Sequence, residues 1–415
     1  MYEMLERNKI ICADVREGLK LLPDNSVQCV ITSPPYWGLR DYGTERQVGL
    51  ESTPDEYVQA MVGIFREVRR VLRPDGTVWL NLGDSYAGGG RAGKNPELLK
   101  NHLMFGKPKS EYDKSMMTGP SPIPSGLKPK DLVGIPWRVA FALQADGWWL
   151  RMDIIWAKPN PMPESVTDRP TKSHEYIFLL TKRQKYFYDA EAVREPLAES
   201  TLADKRNSTG RHTQGKEYSK YYDDASPEKA KPDMPSWYRA KSFVNPASGR
   251  NRRSVWTVAT QSFPGAHFAT FSPRLITPMI LAGSSPKACE KCGAPWKRVV
   301  ERKPAVSKEC PKTQAAHEAR GGTGKPIGTV GKSGGGRIEG YSMTTGWRPT
   351  CPCQNEGKAR CIILDPFIGS GTTAMVAAEH GRDWIGIELN PEYVRMAKKR
   401  IKEATAQQRL FTGAT

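Results

Sequence analysis

Short apolar runs alternate, through the first 190 residues, with longer stretches whose apolar side chains recur every three or four positions. That rhythm predicts strands alternating with helices. Ile10–Asp14 reads as a strand and Val15–Leu22 as the helix after it. Pro23-Asp24-Asn25 turns the chain into a buried strand over Val27–Thr32 (VQCVIT), which stops at Ser33-Pro34-Pro35. Residues 54–72 place apolar side chains on one helical face, and Pro54 suits a first turn, where its missing N–H costs nothing. Arg73-Pro74-Asp75-Gly76 breaks that helix, and Thr77–Leu82 (TVWLNL) is the next strand. After the Gly-rich stretch Gly88–Lys130 come a helix over Pro136–Ala145 and strands near Trp149–Ala157 and Glu175–Thr181.

The pattern fades between about 191 and 254, which is polar and rich in Lys, Ser, Tyr and Pro. It returns as a helix over Ser272–Ala282, and a Gly/Lys-rich insert with five cysteines follows. The last segment reads as strand Cys361–Leu364, turn Asp365–Gly371, helix Thr372–His380, strand Trp384–Glu388 and a helix from Pro391 to about 404. No internal repeat is visible. Alternation of this kind predicts an α/β fold, a doubly wound, Rossmann-like parallel sheet.

Composition narrows the partners more than the fold. The 415 residues can bury a sizeable core without staples. No 18-residue apolar window suggests a membrane span, and Met1–Ile10 (MYEMLERNKI) has no apolar core of a signal peptide. Eight cysteines are too few for a disulfide scaffold, so a reduced, cytoplasmic setting is expected. The net charge is +18, unevenly spread. Residues 200–254 carry 12 basic against 6 acidic side chains, and residues 287–360 carry 15 against 6. Basic, loop-rich insertions between regular segments suit a phosphate backbone, so nucleic acid is the expected partner.

Two motifs carry the chemistry. In Asp365-Pro-Phe-Ile-Gly-Ser-Gly-Thr-Thr373, which joins a strand to a helix, Gly369 and Gly371 let the backbone approach a ligand closely. The helix start behind them favours negative charge. Glu388 ends the next strand and is placed to accept hydrogen bonds from ribose hydroxyls. The second motif, Thr32-Ser33-Pro34-Pro35-Tyr36-Trp37, also ends a strand. Its paired prolines form a stiff backbone without N–H donors, leaving fixed carbonyl acceptors; Ser33 adds a side-chain acceptor and Tyr36 a flat face. Such a site can hold a planar base with an exocyclic amino group. Open α/β sheets bind ligands at the carboxyl ends of strands, where both motifs fall.

On these residues the chain resembles the S-adenosylmethionine-dependent amino-methyltransferases of DNA. TSPPYW is similar to their catalytic motif and DPFIGSGTT to their cofactor motif, in the permuted β-type order. CADVREGLKLLPDNSVQCVI, EVRRVLRPDGTVWLNLGDSY, MDIIWAKPNPMP and HFATFSPRLITPMI extend the likeness, which is thinnest over 191–254 and 287–360. The resemblance implies a site-specific methyltransferase acting on a flipped base in double-stranded DNA, in a bacterial or phage-infected cell, with a cognate restriction endonuclease as an expected partner. It divides the chain into catalytic (1–190) and cofactor-binding (361–415) halves of one domain, a target-recognition region (191–254), a return segment (255–286) and a Cys-rich insert (287–360). Arg250, Arg252 and Arg253 are candidate DNA contacts.

The resemblance also assigns roles. Ser33, Pro34, Pro35 and Tyr36 form the catalytic wall: Ser33 Oγ and the Pro34 carbonyl accept the amino hydrogens, and Tyr36 stacks on the base. Trp37 either extends that wall or packs in the core. Asp365, Phe367, Gly369, Gly371 and Thr372 line the cofactor pocket, Glu388 holds the ribose, and Phe271 and Ser272 lie in a further cofactor segment. Asp14 matches the family acid near the adenine ring, and capping the helix after it is the alternative. Serine in the first catalytic position favours cytosine N4 as the target, with adenine N6 the alternative. A non-catalytic nucleic-acid-binding protein that kept the fold is the rival from another class. No covalent cysteine is required, and Cys12 and Cys29, in apolar strands, are expected in the core.

The insert has its own signature. Cys289-Glu-Lys-Cys292-Gly has the spacing of a zinc knuckle, and Cys351-Pro-Cys353 offers a second pair, with Cys310 and His317 as substitutes. Four thiolates leave no position for water, so a zinc ion there would be structural, within a basic module expected beside the cleft.

Overall fold

The computed structural model describes residues 5–38, 46–88, 123, 126–196, 249–261, 272–303 and 341–412. The chain divides into two compact units. One comprises Met1–Val193, Arg253–Arg298 and Trp347–Thr415; the other comprises Arg194–Arg252 and Val299–Gly346. No described helix is long and apolar enough to cross a membrane.

The larger unit is built on eight strands: β1 (Lys9–Cys12), β2 (Val27–Thr32), β3 (Leu72–Leu82), β4 (Trp149–Ala157), β5 (His174–Thr181), β6 (Val255–Thr257), β9 (Ile362–Asp365) and β10 (Asp383–Glu388). Their order in the sheet is β1-β10-β9-β2-β3-β5-β4-β6. The first five are mutually parallel. The sheet is not parallel throughout, as the alternation had suggested. β5 runs antiparallel to both β3 and β4, because the β4–β5 connection contains no helix to carry a parallel crossover. β6, absent from the sequence reading, adds a parallel edge strand on β4. Two further strands in the Cys-rich insert, β7 (Lys297–Lys303) and β8 (Tyr341–Arg348), also escaped it and pair as a separate sheet. β3 begins at Leu72, so the Arg73–Gly76 breaker lies within the strand, opposite a register shift in β2 between Val27 and Cys29.

Among the described residues, six helices cover the two faces: α1 (Val15–Lys20), α2 (Pro54–Val71), α3 (Ile135–Ala145), α4 (Pro273–Gly283), α5 (Thr372–Glu379) and α6 (Pro391–Thr412). The period-two pattern of the strands decides which face each residue serves. Val30 of β2 and Leu364 of β9 join the core under α1, α2 and α3, whereas Cys29, Ile31 and Ile363 join the core under α4, α5 and α6. Helix α2 starts where Thr53 Oγ1 accepts the Glu56 N–H and Glu56 reaches back to the Thr53 N–H. Tyr57, Met61, Phe65 and Val68 on its inner face are fully buried, each contributing roughly 1.5–3 kcal/mol. Arg382, itself buried, donates to the carbonyls of Ser284, after α4, and His380, after α5, and so ties two helix ends together.

In the smaller unit, Glu195 and Arg250 form an isolated antiparallel bridge and an ion pair at 3.2 Å. Arg250, a candidate DNA contact, is thus held by a carboxylate. Most of the recognition region assigned to 191–254 lies outside the described residues.

Candidate active site

Parallel strands bring both motifs to one edge of the sheet. From β2 the chain moves to its neighbour β3, whereas from β9 it moves the other way to β10. The β2/β9 boundary is therefore the point where the winding reverses, and crevices in open α/β sheets form at such points. TSPPYW leaves the carboxyl end of β2, and DPFIGSGTT spans the carboxyl end of β9 and the start of α5. Thr32 Oγ1 donates to Asp365 Oδ1 at 2.8 Å, a bond across 333 positions of chain. Tyr36 and Phe367 pack against the same core. The next strands outward, β10 and β1, bring Glu388 opposite Cys12. Cys12 is exposed at this strand end, not buried as its apolar neighbours implied, because a strand's last residue projects past the covering helices. Cys29 is buried as expected.

Asp365 is an internal organiser. It is 2% exposed, and its carboxylate accepts from Thr32 Oγ1, the Phe367 N–H (3.1 Å) and Thr373 Oγ1 (2.6 Å). Burial raises its pKa from the ordinary 3.8 to about 6, against the pull of those donors. Gly369 and Gly371 adopt φ of 50° and 82° in the left-handed region, which glycine enters without penalty. A Cβ on Gly371 would come within 3.0 Å of Ala397 Cβ, whereas at Gly369 the nearest atom is the Phe367 carbonyl at 4.0 Å, leaving a cradle over the loop. Glu388 closes the cradle by accepting the N–H groups of Gly369 (3.0 Å) and Asn390 (2.9 Å). Burial outweighs these donors and raises its pKa.

The remaining cofactor candidates are less uniform. Asp14 caps α1, accepting the Arg16 N–H at 2.9 Å, with Arg16 Nη1 at 3.2 Å from its other oxygen. Thr372 is buried and receives a bond from Arg400 of α6 (2.7 Å), which also reaches Ser370 Oγ (2.9 Å). Ser272 is buried at the start of α4, 3.4 Å from Gln261 Oε1. Phe271 lies outside the described residues.

On the catalytic side, Pro34 is buried and Ser33, Pro35 and Tyr36 are half-buried. The Pro35 carbonyl accepts from Tyr57 of α2 at 3.0 Å, which pins the diproline. Trp37 turns toward the core and donates to the Glu51 carbonyl at 2.9 Å. The Tyr36 ring lies over Gly83, where a Cβ would come within 2.4 Å of Cε2. Its hydroxyl accepts from Ser33 Oγ (3.2 Å) and lies 2.8 Å from Glu175 Oε2 and 3.2 Å from Asn81 Oδ1. Asn81 Nδ2 donates to the same Glu175 oxygen (3.1 Å), and Lys158 pairs with the other. Burial, then the Glu175 charge, raises the Tyr36 phenol well above its ordinary range, so it remains a donor. Asp84, just beyond β3, accepts the N–H groups of Gly134 and Ile135 and fixes the start of α3. Sequence reading passed over Asn81, Lys158, Glu175 and Arg400. The available signal was a polar residue inside or at the head of an apolar strand (Asn81 in TVWLNL, Glu175 in HEYIFLLT).

Cys289, Cys292, Cys351 and Cys353 converge, their Sγ atoms all within 4.8 Å of one another. Tetrahedral zinc with Zn–S of about 2.3 Å needs sulfurs about 3.8 Å apart, so small side-chain rotations would complete the set. Gly293 at φ 70° permits the knuckle turn, and the Cys292 N–H donates to Cys289 Sγ at 3.4 Å. Cys310 and His317 lie outside the described residues. The cluster is not beside the crevice. Gln28, in β2, accepts the Ile362 N–H and donates to the Gly293 carbonyl, while Arg73 of β3 reaches the Cys292 carbonyl. These anchors sit at the amino ends of the strands, and roughly five residues of β2, about 17 Å, separate them from Ser33.

Comparison with known proteins shows the family. Residues 27–289 and 357–399 match a family described as DNA methylase, of the N6/N4 amino-methyltransferases. The type II methyltransferase M.SmaI of Serratia marcescens is 37% identical over 403 residues, covering 96% of this chain and 94% of that protein. M.Cfr9I of Citrobacter freundii, also a type II methyltransferase, is 37% identical over 389 residues, covering 94% and 86%. Among solved structures, a Thermus thermophilus protein described as a "Putative DNA Modification Methylase", complexed with S-adenosyl-L-methionine, aligns over 96% of this chain and 94% of that one, at 16% identity and a TM-score of 0.44. With a doubly wound sheet, the two motifs joined at its reversal point and family similarity over most of its length, this chain belongs to the N6/N4 amino-methyltransferase family of DNA methylases.

Proposed function

We propose that this protein methylates an exocyclic amino group of a base flipped out of double-stranded DNA, with cytosine N4 as the target and S-adenosylmethionine as donor. The observation that carries the reading is the Thr32–Asp365 hydrogen bond, which sets the amino-accepting wall against the glycine loop. The cradle over Gly369, bounded by Glu388, fits a nucleoside with free ribose hydroxyls. When bound, S-adenosylmethionine supplies an electrophilic sulfonium methyl. The protein's own residues do the rest. Ser33 Oγ and the Pro34 carbonyl accept the amino hydrogens and localise the nitrogen lone pair. Tyr36 offers its ring to the base, Gly369 and Glu388 orient the donor, and Asp365 holds the two walls in register. Asp14, Phe367, Gly371, Thr372 and Ser272 complete the cofactor side, to which the family resemblance also assigns Phe271.

The type II designation of the relatives supports a cognate restriction endonuclease in a bacterial cytoplasm as the partner. The four-cysteine cluster supports a structural zinc ion held by Cys289, Cys292, Cys351 and Cys353, remote from methyl transfer. Incubation with unmethylated DNA and methyl-labelled S-adenosylmethionine, followed by nucleoside mass spectrometry, tests the reading. N4-methylcytosine is expected; N6-methyladenine would overturn the base assignment, and no labelled nucleoside would overturn the activity.

A further inference from the structure

Ser33 is asked to accept a hydrogen bond from the target amino group, yet a serine hydroxyl also carries a proton that must point elsewhere. The structure shows where it goes. Ser33 Oγ donates to Tyr36 Oη at 3.2 Å, and Tyr36 donates in turn to Glu175 Oε2 at 2.8 Å, the shorter and charged of its two acceptors. Asn81 cannot reverse the chain, because its amide nitrogen is spent on Glu175 Oε2 (3.1 Å) and the Tyr176 carbonyl (3.0 Å). Glu175 accepts at both oxygens and, as a carboxylate, has no proton to return. Its side chain is 16% exposed, beside Lys158.

Building on the activity proposed above, we infer that Glu175 is the terminal acceptor of a proton relay, Ser33–Tyr36–Glu175, that makes Ser33 an acceptor and drains the proton released on methyl transfer. The direction follows from donor and acceptor inventory alone. With a carboxylate at the far end, both hydroxyl protons point away from the crevice, and the lone pairs of Ser33 face the base. The step balances. The amino nitrogen forms its bond to the methyl carbon as the carbon–sulfur bond breaks, and sulfur keeps the electron pair. The nitrogen, now positive, gives a proton to Ser33 Oγ; Ser33 passes its own to Tyr36 Oη, and Tyr36 passes its own to Glu175 Oε2. Water removes it from there. Glu175 touches neither base nor donor and is a positioning residue acting through Tyr36.

Glu175→Gln is the informative change, because the amide oxygen still accepts from Tyr36 and a purely structural role survives it. Tyr36→Phe keeps the ring and cuts the relay. Single-turnover methyl transfer is measured with duplex DNA and S-adenosylmethionine, alongside equilibrium affinities for both. Each variant should lose about 100-fold or more in single-turnover rate. Affinities should hold within about twofold, and the double variant should be no slower than the worse single, since both interrupt one chain. Glu175→Gln turnover within about threefold of wild type, or losses that multiply in the double variant, would overturn the relay. If Glu175→Gln fails to fold by thermal melting, Tyr36→Phe carries the test under the same threshold. A wild-type chain that methylates no base would overturn the relay and the activity beneath it, whereas an active wild type beside an indifferent Glu175→Gln overturns the relay alone.

Discussion

Replacing Asp365 with Asn asks whether the charge between the two walls is tolerated or needed. The carboxyl is 2% exposed, and burial lifts its pKa from 3.8 to about 6 despite three donors. The folded state therefore binds this proton more tightly than the unfolded chain does. The sign follows: the stabilisation is complete below pH 4 and is lost as pH rises through 6. At 1.36 kcal/mol per unit the full span is about 3 kcal/mol, of which about 2 kcal/mol falls between pH 4.5 and 7.5. Asparagine keeps the shape, still accepts from Thr32 and the Phe367 N–H, and turns its amide toward Thr373, but it does not titrate. Urea unfolding of wild type and Asp365→Asn at pH 4.5, 6 and 7.5 reads the effect, because groups not coupled to this carboxyl titrate equally in both and the charge of its acidic neighbour Glu388 is the weakest of the influences on it. The variant's stability relative to wild type should rise by about 2 kcal/mol from the lowest to the highest pH. Thr32→Val should show the opposite trend. Deleting a donor to a charged acceptor costs about 1.5–3 kcal/mol at pH 7.5, and less at pH 4.5, where the acceptor is neutral. Parallel pH profiles for wild type and Asp365→Asn would refute the argument that burial dominates this carboxyl.

Ser33→Ala should lower turnover far more than cofactor affinity, and Gly369→Val the reverse, because a β-branched residue at φ 50° distorts the loop before any base arrives; kcat measured beside cofactor Kd separates them. Gly83→Ala places a methyl 2.4 Å from the Tyr36 ring and should reduce methylation while leaving cofactor Kd unchanged, since the displaced ring faces the base side. Purified protein should contain about one zinc per chain by elemental analysis, and Cys289→Ser should abolish it, exposing the knuckle to proteolysis while single-turnover methylation persists. A variant free of zinc with an unchanged proteolytic pattern would remove the metal's structural role.

Much of this architecture was legible because burial on both faces writes nearly continuous apolar runs, and VQCVIT and CIILD could hardly be anything but central strands. Helix boundaries followed from chemistry that acts locally, such as Pro54 behind the Thr53 cap. What sequence could not show was pairing. The orientation of β5 depends on a connection without a helix, and β6 is a three-residue edge strand whose pattern is too short to register. The four cysteines were found by spacing, but their position was not, because Gln28 and Arg73, which seat the knuckle at the amino ends of β2 and β3, look like ordinary polar residues in their own segments.

The site divides along the same line. Ser33, Gly369 and Glu388 were legible as candidates because each lies in a motif that acts within a few positions of chain. Glu175 had no such context. It becomes meaningful only because β5 runs antiparallel to β3, which lays Tyr176 opposite Leu82 and Ile177 opposite Asn81, and so brings the head of one strand to the tail of another. Had β5 run parallel, its carboxyl end, Leu180 and Thr181, would have met the catalytic loop instead, and no carboxylate would face Tyr36. Among the described strands of this sheet, the one that departs from the parallel pattern is thus the strand that places a carboxylate beside the Tyr36 hydroxyl. Under the relay proposed above, that reversal is what brings the carboxylate to Tyr36, as much as it is a consequence of a short connection.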